Sequence, residues 1–435
     1  MKVYIETFGC TLNKFDSLAM SRILVSAGFE LVRAPDYADI IIVNTCGVKK
    51  QTEDKIISHL KSLSKKYYDK KLIVAGCLPV INRELLLREV EADAFIGPSP
   101  GYKILRVIEN VLELNRRRGE RLVDIWDGGR SPLLPPSSCE TGVIEPVGIS
   151  FGCLDNCSFC ATKFARSKLL SQPIEKIIEH IKSAIKVGIK EFHITSPDSG
   201  VYGFDLNPRV TIVDLLRRIE EIDGFFFVRL GMMNPRWARK WLDDLIEIFR
   251  ESKHLFKYMH IPVQTGSDSL LRIMNRSHTV EDYFEVAKAL RREVDPRFTI
   301  ATDIIVGHPG ESDEDVEATV KLIKDSKPDV VNISKFFPRP RTKAKLMKQI
   351  PTDVVKERSR LITKVAHDVM EERSNLWIGW VGDVLIDEQG PKGNLMGRNY
   401  AYRPTAVFNT QLSLGQVLRV RVIKSHVTWL EAIPA

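Results

Sequence analysis

The sequence predicts an α/β chain in three parts: an N-terminal doubly wound parallel sheet, a central (β/α) barrel, partial or complete, and a C-terminal small antiparallel β-barrel. Three observations predict it. Strand and helix patterns alternate over residues 1–115, which implies a parallel sheet with helices on both faces. After a linker over 116–144, rich in Gly, Pro and Ser, the alternation resumes and fills 145–372. Residues 373–435 break into short strands split by Gly and Pro.

KVYIETFG reads as the first strand, and Asp16 to Ala27 as a helix stopped by Gly28. ADIIIVNTC is a buried strand, followed by a polar helix from about Lys49 to Tyr68; KLIVAGC and AFIG are the third and fourth strands. The barrel strands are EPVGISFG, EFHITS, FFFVRLGM, YMHIPV, TIATDIIVG and DVVNISKF. A basic helix runs from about Asp353 to Asn375, beyond the proline cluster FFPRPRTKAK. WIGWVGDVLIDE, NLMGRNYAYRPTAVF and LGQVLRVRVIKSHVTWLEAI supply the last strands.

Apolar residues make up 44% and charged residues 28%, which excludes a disordered or fibrous chain. No window approaches the roughly 18–20 apolar residues of a spanning helix, and MKVYIETFGC lacks a signal-peptide core, so a cytoplasmic protein without membrane attachment is expected. The net charge is +8. From Lys335 to the end there are 17 Lys and Arg against 9 Asp and Glu, so that stretch carries the whole surplus. Such a bias is the footprint of a polyanion partner or, more plainly, a solvated Lys-rich surface.

Seven cysteines without a secretion signal point to metal or redox chemistry rather than disulfides. Cys153, Cys157 and Cys160 follow the first barrel strand, and no His lies near enough to complete an obvious zinc site. Three thiolates in one tight loop suit an iron–sulfur cubane whose fourth iron stays open. That open iron can chelate the amino and carboxylate groups of S-adenosylmethionine. Cys10, Cys46 and Cys77 each end a strand, in FGC, NTC and AGC, at the edge where parallel sheets collect ligands. They read as a second cluster site, with buried structural cysteines as the alternative. Cys139, in the linker, reads as incidental.

With Phe159 before its last Cys, the loop FGCLDNCSFC resembles the radical S-adenosylmethionine superfamily. That resemblance implies cofactor-binding roles for Phe159, Ser196 and Asp198 in ITSPDS, Arg229 in VRLGM, and Gln264 and Thr265 in VQTGSD. It implies the same for Asp303 and for the turn from Gly307 to Glu311, which carries His308 where the superfamily has Phe. The order of the three parts, with ETFGCTLN, NTCGVK, GCLP, PVQTGSDSLLRIMNR, ATDIIVGHPGE and FFPRPRTKAKLM, is similar to the methylthiotransferase family. GRNYAYRPTAVF resembles its RNA-binding TRAM domain, which makes Lys392, Arg398, Tyr400, Tyr402, Arg403, Arg419 and Arg421 the candidate RNA contacts.

ITSPDSGVYGFD and VRLGMMNP look most like the archaeal and eukaryotic branch acting on N6-threonylcarbamoyladenosine. The resemblance implies two [4Fe–4S] clusters, S-adenosylmethionine, and 2-methylthiolation of adenosine 37 in the tRNA anticodon stem-loop. It also implies an electron donor such as a flavodoxin or ferredoxin, a sulfur donor, and no catalytic side chain beyond the clusters and S-adenosylmethionine. Other targets stay open: an isopentenyl adenosine or a ribosomal-protein aspartate. So does a zinc- or cluster-bearing RNA-binding protein without catalysis.

Overall fold

The computed structural model describes residues 1–114, 119–126, 128–134, 142–390, 394–408 and 412–435; Cys139 and Lys392 lie outside them. The N-terminal sheet consists of β1 (Lys2–Thr7), β2 (Glu30–Leu31), β3 (Ile40–Thr45), β4 (Lys71–Gly76), β5 (Ala94–Ile96) and β6 (Leu122–Asp124). All are parallel, in the order β2-β1-β3-β4-β5-β6. Alternate residues of β3 serve opposite faces. Ile40 and Ile42 pack with Ile73 and Ile108, while Ile41 and Val43 pack with Ile56 and Leu60. Two cores on one sheet make it doubly wound. The edge strands β2 and β6 are too short to show a period, and β6 arises inside the expected linker.

The first helix, Thr11–Ser26, begins five residues before the apolar pattern suggests. Asn13, Asp16 and Ser17 are polar yet buried, which hides its inner face from a hydrophobicity reading.

The central region contains β7 (Ile144–Gly148), the small antiparallel pair β8 (Ser150–Phe151) and β9 (Leu170–Ser171), then β10 (Glu191–Thr195), β11 (Phe227–Arg229), β12 (Tyr258–His260), β13 (Thr299–Val306) and β14 (Val330–Lys335). β7-β10-β11 and β12-β13-β14 are two parallel sheets, joined by a bridge between Val228 and Leu255. The barrel is therefore partial. Phe192, Ile194, Val228, Met259, Ile300 and Ile304 face outward into the helical layer. Each such fully buried side chain contributes about 1.5–3 kcal/mol. The alternate residues, among them His193, Arg229, His260 and Asp303, line the lumen instead.

Helix Thr11–Ser26 leans on β7 along the barrel's open side. A Cβ on Gly148 would lie 2.6 Å from the Phe15 ring, and Phe15 also meets Phe151 at 5.9 Å between centroids. Arg22 grips buried Glu145 with two hydrogen bonds of 2.8 and 3.0 Å.

The long helix Thr352–Asn375 leads to β15 (Val381–Gln389), β16 (Leu395–Asn399), β17 (Pro404–Val407), β18 (Val417–Ser425) and β19 (Leu430–Pro434). These close a barrel in the order β15-β16-β17-β19-β18. One pair, β17 and β19, is parallel. The reason is parity: strand directions cannot alternate all the way round a ring of five. No helix among the described residues is long and apolar enough to cross a membrane.

Candidate active site

Neighbouring strands β1, β3 and β4 end side by side, which brings Cys10, Cys46 and Cys77 to one sheet edge. Two glycines make the convergence possible. Gly9, at φ +120°, has room for no Cβ, which would sit 2.7 Å from Cys46 Cβ. Gly76, at φ +101°, would drive its Cβ to 2.4 Å from the Thr45 carbonyl oxygen; the left-handed region suits glycine alone. The side-chain amide of Asn13 donates to the carbonyls of Phe8 (2.9 Å) and Thr45 (3.0 Å). Its oxygen is thereby turned to the thiols of Cys10 and Cys77, each 4.0 Å away. Burial pushes the Cys46 thiol up and the Cys77 thiol up to about 12.

Arg166 stands beside this triad, six positions past Cys160. Its guanidinium donates to Asp16 (2.5 Å), Ser99 (2.8 Å) and Asn13 (3.3 Å). Burial disfavours its charge, but Asp16 and the nearby thiols hold its pKa above the ordinary arginine value. Cys77, Val80 and Ile81 pack with Ala161 and Ala165, so the chain just after the first thiol loop abuts the second triad.

The first loop is fixed from several sides. Arg276 donates to Cys157 Sγ at 3.3 Å and to the Pro262 carbonyl at 3.1 Å. Burial raises the Cys157 thiol, opposed by the Arg276 charge. The Ser158 amide donates to the Met274 carbonyl (2.9 Å), and its hydroxyl meets His308 Nε2 at 3.0 Å. His308 thus fills an aromatic slot between Phe159 and Phe336 and reaches the thiol loop as well. Burial lowers its pKa to about 4, so the ring is neutral at pH 7.

Each triad is a set of three cysteine thiols, the donor type that iron–sulfur clusters take. A tetrahedral zinc with Zn–S near 2.3 Å holds its sulfurs about 3.8 Å apart. Among the described residues, one trio of Cys, His, Asp and Glu ligand atoms lies within 4.8 Å: Cys153, Asp155 and Asp198. Neither thiol triad is drawn to zinc spacing. Thiols that burial holds protonated also need a metal to become ligands.

The residues named for cofactor binding lie in different settings: Phe159 in the thiol loop, Asp303 within β13, and the others at or just past the carboxyl ends of barrel strands. Ser196 is buried and meets the Ser199 hydroxyl at 3.1 Å. Asp198 accepts from the amides of Gly200 (3.0 Å) and Asn234 (3.2 Å), and burial raises its pKa to about 6. Gln264, at φ +76°, ties β13 on through its backbone. Thr265 is turned outward to Thr319 (3.1 Å) and serves the helix layer. Gly307, at φ +81°, donates its amide to Glu311 at 2.9 Å. Asp303 accepts from His260 (3.0 Å) and Asn332 (2.9 Å); burial acts to raise its pKa, but these partners hold it below the ordinary value.

Arg229 reaches across the lumen to Thr11, next to Cys10, at 3.3 Å, while its Nε is buried without a partner. Sequence reasoning did not single out Asn13, Arg166, His193, His260, Arg276 or Asn332. A signal existed for three of them: His193, His260 and Asn332 occupy alternate, polar positions on strands whose other residues are apolar.

The tail residues divide. Arg419 and Arg421 are exposed on β18. Arg403 is 1% exposed and donates to Ser374 at 3.0 Å, so it is a core residue rather than an RNA contact. Tyr400 packs on Trp377 and bonds Asp295 (3.0 Å). Arg398 pairs with Asp387 (3.6 Å) and Glu388 (3.2 Å). Tyr402 meets His193 Nε2 at 3.1 Å and packs on Phe256 and Tyr258. The turn GRNYAYRP thus faces the partial barrel, because a five-stranded barrel must bury one flank to dock.

Residues 147–323 match the family model described as Radical SAM superfamily, and residues 2–97 match Uncharacterized protein family UPF0004. The chain is similar to the solved radical S-adenosylmethionine methyltransferase TsrM of Kitasatospora setae, with TM-score 0.57 and 14% identity, over 79% of this chain and 75% of that one. At such identity the likeness concerns the fold. It is 41% identical to a probable threonylcarbamoyladenosine tRNA methylthiotransferase of Pyrococcus abyssi, over 91% of each chain. The Archaeoglobus fulgidus relative of the same description is 38% identical, over 97% of this chain and 96% of the relative. The human threonylcarbamoyladenosine tRNA methylthiotransferase is 33% identical, over 82% of this chain and 61% of its own. Two thiol triads at one barrel mouth and relatives this close along nearly the full length make the chain a member of the threonylcarbamoyladenosine tRNA methylthiotransferase family, within the radical S-adenosylmethionine superfamily.

Proposed function

We propose that the protein is a two-cluster enzyme that converts N6-threonylcarbamoyladenosine 37 of tRNA to its 2-methylthio derivative. One observation carries the reading: a second thiol triad abuts the chain that leaves the radical-SAM thiol loop, through the Arg166 bridge. In this reading Cys153, Cys157 and Cys160 hold one [4Fe–4S] cluster and Cys10, Cys46 and Cys77 a second. When bound, the first cluster with S-adenosylmethionine supplies the radical chemistry that an unactivated adenine C2–H bond requires.

The chain's own residues orient and shield. Arg276 favours the thiolate form of Cys157 by charge and hydrogen bond, against the burial that raises the thiol. Asp198, fixed by two backbone amides, borders Cys153 and is the group suited to the cofactor's ammonium. His193, which burial and neighbouring Arg229 keep neutral, is an acceptor and donor but not a cation. The unpartnered Nε of Arg229 and the exposed ammonium of Lys14, whose charge His193 senses, favour an anionic side chain on the base. A threonylcarbamoyl group carries a carboxylate; an isopentenyl group does not. This supports the threonylcarbamoyl substrate over the isopentenyl one.

The reading implies a cytoplasmic protein, a low-potential one-electron donor such as a flavodoxin or ferredoxin, and a sulfur donor. The test is mass spectrometry of tRNA nucleosides after anaerobic incubation of reconstituted enzyme with S-adenosylmethionine and threonylcarbamoylated tRNA. The 2-methylthio product, about 46 mass units heavier by replacement of H with SCH3, is expected together with S-adenosylmethionine cleavage. An unaltered threonylcarbamoyladenosine pool under conditions where cleavage proceeds sinks the proposal.

A further inference from the structure

The positive surplus does not sit where the tail barrel is. Residues 335–351 hold six Lys and Arg and no acidic residue, the helix over 352–375 is balanced with five of each, and 376–435 hold six against four. With Arg398 and Arg403 turned inward, the question is which cations are free to meet a polyanion.

A groove of about 580 Å³ answers it. Lys335, at the carboxyl end of β14, forms one side; Lys356, Arg360, Lys364 and His367 of helix Thr352–Asn375 form the other. Among the described residues none of these four Lys and Arg side chains makes an ion pair. Val355, Ile362, Ala366 and Val369 anchor the helix's other face in the core, so the basic face is held outward. Lys356, Arg360 and Lys364 recur every four residues, one above another and about 6 Å apart along the axis. Ser359 and Thr363 add hydroxyl donors between them, and Asp368 is the carboxylate of the lining. The row from Lys356 to His367 is roughly 16 Å long. It begins near the barrel mouth, at Lys335, and runs toward the C-terminal barrel.

We propose that this groove is the main phosphate-backbone site for the RNA, a track of evenly spaced cations leading the strand from the C-terminal barrel to the barrel mouth. Regular point charges with hydroxyls between them suit successive phosphates. A protein partner would call for large apolar or aromatic anchors at the centre of the patch, and the lining contains no aliphatic side chain and no Phe, Tyr or Trp. The proposal rests on the tRNA reading above and adds where the backbone is held.

The experiment compares wild-type enzyme with a Lys356→Gln, Arg360→Gln, Lys364→Gln variant, and with a control variant bearing Lys65→Gln, Lys182→Gln and Lys186→Gln. Fluorescence anisotropy measures binding of a labelled anticodon stem-loop RNA as KCl is varied. Each lost phosphate contact lowers the salt slope by about 0.7–0.9, so the groove variant should lose about 2 to 3 from the slope and at least tenfold in affinity near 100 mM salt. The control should lose neither. Iron content and RNA-independent S-adenosylmethionine cleavage should match wild type in both variants. An unaltered slope, or an equal loss in the control, overturns the proposal. So does an unaltered slope together with weakened reduction by an acidic flavodoxin-type protein, which would make the groove a protein dock. Product formation by wild type with an unaltered slope in the variant removes the groove and leaves the function. A groove-dependent slope without methylthio product removes the function and leaves the groove.

Discussion

Replacing Arg166 by Met tests how the two thiol triads are held together. The guanidinium is 3% exposed as a residue, and the side chains of Arg166 and Asp16 are 2% and 1% exposed. Asp16 also accepts from Ser99 (2.8 Å) and Ser131 (2.9 Å), so the carboxylate would remain in place after the cation is gone. Breaking a buried pair by removing one partner costs about 3–5 kcal/mol, chiefly because the other charge is left uncompensated. For a unit of this size that lowers the melting point by about 10 °C. The second substitution, Asp16→Asn, removes the stranded charge. The double variant should regain at least half of the loss, since Met and the amide are neutral. Anaerobic scanning fluorimetry of apo and reconstituted protein gives the melting points, and iron analysis gives the occupancy of the second triad. Arg166→Met should also lose iron there, because Asn13 loses the partner that helps aim its oxygen at Cys10 and Cys77. A single variant within about 1 kcal/mol of wild type, or a double variant no more stable than the single, would refute the reasoning.

Three further outcomes are expected. Cys46→Ala should retain about four of eight irons and keep S-adenosylmethionine cleavage while losing methylthio product, whereas Cys157→Ala should lose cleavage; iron analysis and chromatography of the cleavage products distinguish them. Arg276→Met removes a hydrogen bond to a thiolate worth about 1.5–3 kcal/mol, so cleavage should slow by about ten- to a hundredfold, read at saturating reductant; unaltered cleavage dissociates Arg276 from the loop's chemistry. Asp387→Asn should flatten the pH dependence of stability. Burial raises both Glu191 and Asp387, and the Arg398 charge opposes the rise. The folded state therefore holds protons that the unfolded state releases above about pH 4, and stability falls as pH rises through neutrality. Melting points from about pH 5 to 8 should slope downward in wild type and less so in the variant; parallel curves would contradict this.

Much of the fold was legible because its signals are local. The strands around Ile40–Thr45 and Thr299–Val306 announce themselves by apolar runs, and Cys10, Cys46 and Cys77 by identical strand-end positions. What was not legible depends on distance in sequence. Arg276 meets Cys157 across 119 positions and Arg166 meets Asp16 across 150; no period links such partners. GRNYAYRP misled for a related reason. Arg and Tyr suit an RNA surface and a polar interior interface equally well, and only the docking of the tail barrel against Phe256, Tyr258 and His193 decides between them. The charge count left a polyanion partner and a solvated Lys-rich surface both open, and could not say which cations ion pairs would consume.

Because the barrel is incomplete, the wall beside Gly148 is borrowed from helix Thr11–Ser26 of another domain. The reaction chamber is therefore not a property of the radical domain alone. Excising the N-terminal sheet would strip Phe151 of its cover and open the lumen sideways to bulk water. A radical released there would take hydrogen from the chain, or from a thiol or organic solute admitted from outside, before it met a nucleobase. The domain bearing the second thiol triad is thus also the shutter of the first.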